Sequence, residues 1–178
     1  MPIFGIIEAG CQAAIEATTS EEIGLIATVA TVKSKVYEET IKSIDSRKRI
    51  LSNDSRKLPK IINDHLERRD LLDIHIKECI DPILNQGKIR ELILGCSHFP
   101  IIQEEIQELY PDLTLINPAN KQVKQIQEYL LKKDLLLPCA DKSIEIYTTN
   151  GLEEFKLTLE RLNISDYILK KVNLLEGD

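Results

Sequence analysis

The chain of 178 residues contains no tryptophan, and aromatic residues make up only 4% of it. Surfaces that stack nucleic-acid bases are built from such rings, so the composition argues against one here. Positive charge is scarce as well: 23 Lys and Arg stand against 29 Asp and Glu, a formal net charge of −6. Phosphate backbones are held by an excess of clustered Lys and Arg, which this sequence does not have. Its one basic cluster (Arg47, Lys48, Arg49, Arg56, Lys57 and Lys60) reads as a solvated strand-and-loop face. No apolar run approaches the roughly 20 residues that cross a bilayer. Nor does a basic start followed by an apolar stretch mark a secretory leader. The expectation is a cytoplasmic chain with no nucleic-acid and no membrane partner. Cysteines are few, at positions 11, 79, 96 and 139, and none forms a Cys-x-x-Cys pair. A disulfide framework is not expected in a reducing compartment. Cys96 and His98 have a ligand-like spacing, but His65 and His75 lie on a charged helical stretch and complete no second cluster. No metal is expected.

What is present is an alternation of short apolar runs with longer amphipathic ones. Ile3 to Ile7 has the length of a strand, followed by an Ala-rich helix ending near Thr18. Ile23 to Thr28 reads as a buried strand, and Val32 to Ile44 as the helix after it. A short strand over Arg47 to Ser52 precedes helices at Leu58 to Leu66 and Leu71 to Leu84, the second interrupted by Pro82. Glu91 to Gly95 is the strongest strand pattern. It leads into Cys96-Ser97-His98 and a helix with Phe99, Ile102, Ile106 and Leu109 on one face. Leu113 to Ile116 reads as a strand, and Val123, Ile126 and Leu130 mark a helix face. Ser143 to Thr149, Leu152 to Leu162 and Tyr167 to Val172 complete the pattern as strand, helix and strand. Apolar runs without alternation suit parallel strands covered on both faces. The fold class expected is therefore α/β, a mainly parallel sheet flanked by helices. Pro118-Ala119-Asn120 is the one boundary between lobes that the pattern offers.

Ligands of open α/β sheets sit at the carboxyl ends of the strands. Two such ends carry polar groups. Thr28 and Thr31 can cap the following helix, and the same hydroxyls can hold a carboxylate at that helix start; spacing alone leaves both roles open. Gly95-Cys96-Ser97-His98 puts a thiol at a tight strand-to-helix turn beside a histidine. Both neighbours favour thiolate over a thiol whose ordinary pKa is about 8.5, the requirement for a thiol base or nucleophile. A small cysteine packed at a strand end is the other reading of the same residues.

The stretch Leu94-Gly95-Cys96-Ser97-His98-Phe99-Pro100 resembles the signature around the second catalytic cysteine of the glutamate racemases, where Thr-His-Tyr is usual in place of Ser-His-Phe. Further matches follow in order. Gly5-Ile6-Ile7-Glu8-Ala9-Gly10 is similar to that family's Gly-Val-Ile-Glu-Pro-Gly turn, with Ala9 for Pro. Gly24 to Ser34 keeps Thr28, Thr31 and Ser34 of its Gly-x-x-x-Thr-x-x-Thr-x-x-Ser segment. Thr148-Thr149-Asn150 resembles its late Thr-Thr-Gly. The resemblance implies two pseudo-symmetric α/β lobes and a racemase with no cofactor, in which two cysteines flank the α-carbon of glutamate and invert it by proton transfer. It implies Cys96 as one of the two catalytic thiols, with His98 assisting it. Ser97, Thr28 and Thr31 would bind the substrate, and the product D-glutamate would supply peptidoglycan synthesis in a bacterial cytoplasm.

The same resemblance implies that the family's front portion, with its Asp-Ser-Gly, Tyr-Gly and Cys-Asn-Thr motifs and its first catalytic cysteine, is missing from this sequence. Cys11 follows the helix start and is no substitute, and Cys79 and Cys139 match nothing catalytic. Where the family has Ala-Cys-Pro-Leu and then an acidic pair, this chain reads Asn53-Asp54-Ser55-Arg56-Lys57-Leu58-Pro59, with Asp64 the nearest acid. The expected organisation is one complete lobe over 3–118 and the C-terminal part of an incomplete second lobe over 119–178. Such a chain should form a homo-oligomer or be completed by a separate N-terminal fragment. Two other functions share the pattern: a non-catalytic remnant that binds a dicarboxylate or a protein, and a related one-thiol racemase or decarboxylase.

Overall fold

A computed structural model describes residues 2–18, 20–136, 144–149 and 151–173. Cys139, Ser143 and Asn150 of the sequence patterns lie outside the described residues. The chain divides into two compact units, Met1–Asp134 and Leu135–Asp178.

The first unit is built on four parallel strands in the order β2-β1-β3-β4. These are β1 (Glu22–Ala27), β2 (Arg49–Asp54), β3 (Glu91–Gly95) and β4 (Thr114–Ile116). Helix α1 (Ile6–Ala17) precedes them. Helices α2 (Val29–Ser34) and α3 (Val36–Ile44) join β1 to β2, and α4 (Leu58–Asp64) and α5 (Arg69–Leu84) join β2 to β3. A 3-10 turn, Phe99–Ile102, and α6 (Gln103–Leu109) lead to β4, after which α7 (Pro118–Lys132) packs back on α1.

The two central strands are buried on both faces, and this explains their unbroken apolar runs. Alternate side chains sort into two cores. Ile26, Leu92 and Leu94 point to the face covered by α4, α5 and α6, where they meet Leu58, Ile76, Ile80 and Phe99. Ile23, Leu25, Ala27 and Ile93 point the other way, onto Cys11, Ala14, Tyr37 and Ile41 of α1 and α3. The edges are short or polar: β4 has three residues, and β2 carries Arg49, Ser52, Asn53 and Asp54. The basic cluster on and around β2 is largely ion-paired, Arg47 with Asp45 at 2.9 Å, Arg49 with Glu22, Arg56 with Asp54 at 3.7 Å and Lys60 with Asp64 at 3.6 Å.

The N-terminal apolar run is not a strand. Ile6 and Ile7 open α1, with Gly5 as its N-cap residue. Ile7 lies three and four residues before Gly10 and Cys11, so it continues the buried helical face that Gly10, Cys11 and Ala14 define. Gly10 is needed for the approach of α7: a Cβ there would meet Pro118 at 3.0 Å. The helix expected over 32–44 is two helices, broken at Lys35, whose φ of 54° is left-handed. Helix α5 runs on through Pro82 as one element, where the sequence pattern expects an interruption. Proline has no N–H for the Glu78 carbonyl. The Asn53 side-chain amide, from the end of β2, donates to Glu78 O at 3.2 Å and to Cys79 O at 3.0 Å, replacing the lost partner.

The second unit is a β-α-β piece: β5 (Ile144–Thr148), α8 (Leu152–Arg161) and β6 (Tyr167–Lys171), with the two strands parallel. Ile144, Tyr147, Phe155, Leu157 and Ile168 are all exposed, and Leu159 is buried. No helix among the described residues is long and apolar enough to cross a membrane.

Candidate active site

From β1 the chain steps to β2 on one side, then returns past β1 to β3 on the other. The reversal opens a crevice at the carboxyl ends of β1 and β3, the location where such sheets take their ligands. Ala27 and Gly95 are register partners at these two ends. The next residues are Thr28 and Cys96, so the two sequence-predicted strand ends are brought side by side.

Thr28 is the N-cap of α2. Its Oγ1 accepts from Thr31 N–H at 3.4 Å, and the two hydroxyls are 3.0 Å apart in a mutual hydrogen bond. The capping role is thus occupied, with both threonines half-buried. Across the crevice, Cys96 Sγ is 3.6 Å from His98 Nδ1. Cys96 and His98 are each half-buried and Ser97 is exposed. The helix after Pro100 opens as the 3-10 turn, held by Phe99 N–H on the Cys96 carbonyl at 3.1 Å and Ile101 N–H on the His98 carbonyl at 3.1 Å. These bonds fix the bend that turns the thiol back toward the imidazole. Gly95 permits the close packing beneath it, since a Cβ would lie 2.7 Å from Leu25 Cδ1 and 3.0 Å from the Ile26 carbonyl oxygen.

A cavity of about 360 Å³ opens at this point, lined by Cys96, Ser97, Tyr37 and Asn117 with Ile6 and Pro118 among its apolar walls. Thr28, Thr31 and His98 are outside that lining. Tyr37 and Asn117 were not legible as site residues. Tyr37 shares a helix face with Ile41 and reads as core, and Asn117 before Pro118 reads as a helix cap, which it is: its Oδ1 accepts from Ala119 N–H at 3.0 Å. Burial, with the charges of Cys11 and Cys96 adding to it, pushes the Tyr37 phenol up to about 12. It is a neutral donor at physiological pH.

The other described cysteines are sealed. Cys11 has no exposed surface, and its thiol, 3.8 Å from the Tyr37 carbonyl oxygen, is pushed up to about 12 by burial and then by Glu38 and Glu8. Burial also raises Cys79, against a hydrogen bond from Ser55. Cys79 lies instead by a second cavity of about 320 Å³ at the end of β2, together with Asn53, Arg56, His75 and Glu78. There His75 Nδ1 and Glu78 Oε2 are 2.6 Å apart. Asp64 ends α4 beside Lys60, clear of the lining of either cavity.

A parallel α/β sheet whose strand order reverses beside a cavity belongs to the open α/β proteins that take ligands at their strand ends. A model of the Asp/Glu/hydantoin racemase family matches residues 1–126, and the chain belongs to that family. Glutamate racemase of Thermoanaerobacter sp. (strain X514) is 31% identical over 161 residues, which make up 90% of this chain and 61% of that protein. Glutamate racemase of Latilactobacillus sakei is 26% identical, over 88% of this chain and 57% of its own length. Among solved structures, a glutamate racemase isoform from Bacillus anthracis superposes with a TM-score of 0.89 at 28% identity, covering 98% of this chain and 65% of that one. The glutamate racemase of Francisella tularensis in complex with D-glutamate gives 0.85 at 25% identity, covering 99% and 65%. The chain therefore spans about three fifths of the length of the curated relatives it matches.

Proposed function

We propose that this chain carries one proton-transfer half of a glutamate racemase, with Cys96 as its acid–base group and His98 as the assisting imidazole. The contact of Cys96 Sγ with His98 Nδ1 at 3.6 Å, beside a cavity at the switch point, is the observation that carries the reading. As thiolate, Cys96 takes the α-proton of glutamate and leaves the electron pair on the α-carbon, delocalised into the adjacent carboxylate. The thiol then returns a proton to the same face. Ser97, Thr28 and Thr31 hold the substrate's polar groups, and the chemistry asks for no cofactor. The product, D-glutamate, would serve peptidoglycan synthesis in the cytoplasm.

Inversion needs a second donor on the opposite face of the α-carbon. Cys11 and Cys79 are buried away from the cavity and do not supply it. Among the described residues no second thiol lines the cavity, and we assign the second acid to a segment equivalent to the remaining two fifths of the relatives.

The test is proton NMR of L- and D-glutamate in D₂O with the purified chain. One half-site predicts loss of the α-proton signal from one enantiomer without inversion, and no loss with Cys96→Ser. His98→Asn should slow the exchange by about 10² or more, the usual contribution of a positioned acid–base group. Exchange that survives Cys96→Ser would sink the assignment. Binding of glutamate without any exchange would point to the non-catalytic remnant, and exchange of aspartate in preference would move the substrate within the same chemistry.

A further inference from the structure

Tyr37 is an unusual wall for a cavity of this kind. It is 3% exposed, yet its hydroxyl has no hydrogen-bond partner among the described residues. Nor is the oxygen one of the sealed, unpaired polar atoms, which are carboxylate oxygens of Glu38, Glu91 and Glu105. Tyr37 lines the cavity together with Cys96 and Ser97. Phenylalanine would fill the same core position beside Cys11 and Ile41, so packing alone does not call for the hydroxyl.

We infer that Tyr37 anchors the bound molecule, its phenolic O–H donating a hydrogen bond to a carboxylate oxygen of a ligand seated in the Cys96 cavity. The nature of that ligand rests on the racemase reading; the unpaired hydroxyl of a cavity-lining residue does not. The elevated pKa keeps the group a donor across the physiological range, and a thiolate at Cys96 would only strengthen that preference for the protonated phenol. The anchor is rigid, because α3 packs on α1 and on β2. A preformed donor loses little freedom when it binds.

The experiment is protection of Cys96 from iodoacetamide by L- or D-glutamate, followed by peptide mass mapping, with Cys96→Ser as the blank. Glutamate should slow the alkylation of the unmodified chain. Tyr37→Phe should raise the half-protecting concentration about tenfold, the loss of one hydrogen bond to a charged group. Site-specific 3-fluorotyrosine at position 37, a stronger donor in the same ring, should lower it, which keeps the test open should the Phe variant fold poorly. Equal half-protecting concentrations across the three proteins would overturn the anchor while leaving the racemase reading in place. Absence of protection by either enantiomer in the unmodified chain would overturn both.

Discussion

Cys96 is held in place by what lies under it. Gly95 stands where any side chain would strike Leu25, Ala27 and the Ile26 carbonyl, and the last of these is backbone in the neighbouring strand and has no room to give. Gly95→Ala should therefore cost about 1–3 kcal/mol, as overpacking of a filled core does. Urea unfolding would measure it, and the rate at which Cys96 is alkylated should change with it, because the turn shifts. An unchanged midpoint would mean that β1 and β3 part more easily than their register implies. At this scale the sequence offers the thiol and imidazole as candidates by their motif, and Thr28 and Thr31 by position. It could not identify Tyr37. A tyrosine four residues from a buried isoleucine on an amphipathic helix has the pattern of core, and only the fold shows it lining a cavity.

The helices and strands were mostly legible because their periods are strong. Strands β1 and β3 are unbroken apolar runs, and α5 through α7 follow helical spacing. The exceptions have local physical causes. The run Ile3 to Ile7 has strand length, but the helical face of Gly10, Cys11 and Ala14 extends back over Ile7 and draws it into α1. The break at Lys35 carries no glycine or proline to announce it. The proline-containing helix α5 makes its own prediction. Asn53→Ala removes both donors to the carbonyls around Pro82 and should destabilise the chain by about 1 kcal/mol or more. In Pro82→Ala the helix regains its own N–H for Glu78, so the Asn53 substitution should cost less in that background. A thermal-denaturation double-mutant cycle with no coupling between the two positions would reject this account.

For the molecule as a whole, two buried acids set an alkaline limit. Cys11 rises from 9.0 to about 12 and Tyr37 from 10.0 to about 12 on folding. Well below pH 9 both are protonated in folded and unfolded chains and neither affects the balance. As pH rises from about 9 toward 12 the unfolded chain releases these protons while the folded one retains them, so stability falls across that window. Cys11→Ala should flatten the fall in a denaturant series between pH 8 and 11; an unchanged slope would locate the loss elsewhere. The second unit carries a different expectation. Two parallel strands with one helix are too few to stand well alone in water, and Ile144, Tyr147 and Ile168 are left exposed on them. Sedimentation velocity of the isolated chain should show species heavier than the monomer, with Ile168→Lys shifting the distribution toward monomer. A sharp monomer peak at all concentrations would count against it.

The sequence by itself determined the α/β class and, from β1 onward, most of the order of its elements. Buried parallel strands must be apolar throughout, and surface helices must repeat near 3.6 residues, so both are written into the composition of short windows. It also carried the family motifs, because a thiol, an imidazole and a turn glycine have to be adjacent in the chain to act at one strand end. The tertiary structure alone decided which distant residues meet. Strand order placed Thr28 beside Cys96, packing of α3 aimed Tyr37 at the cavity, and the end of β2 brought Asn53 to the carbonyls that Pro82 leaves free. Those contacts join residues tens of positions apart, and no local period encodes a distance of that kind.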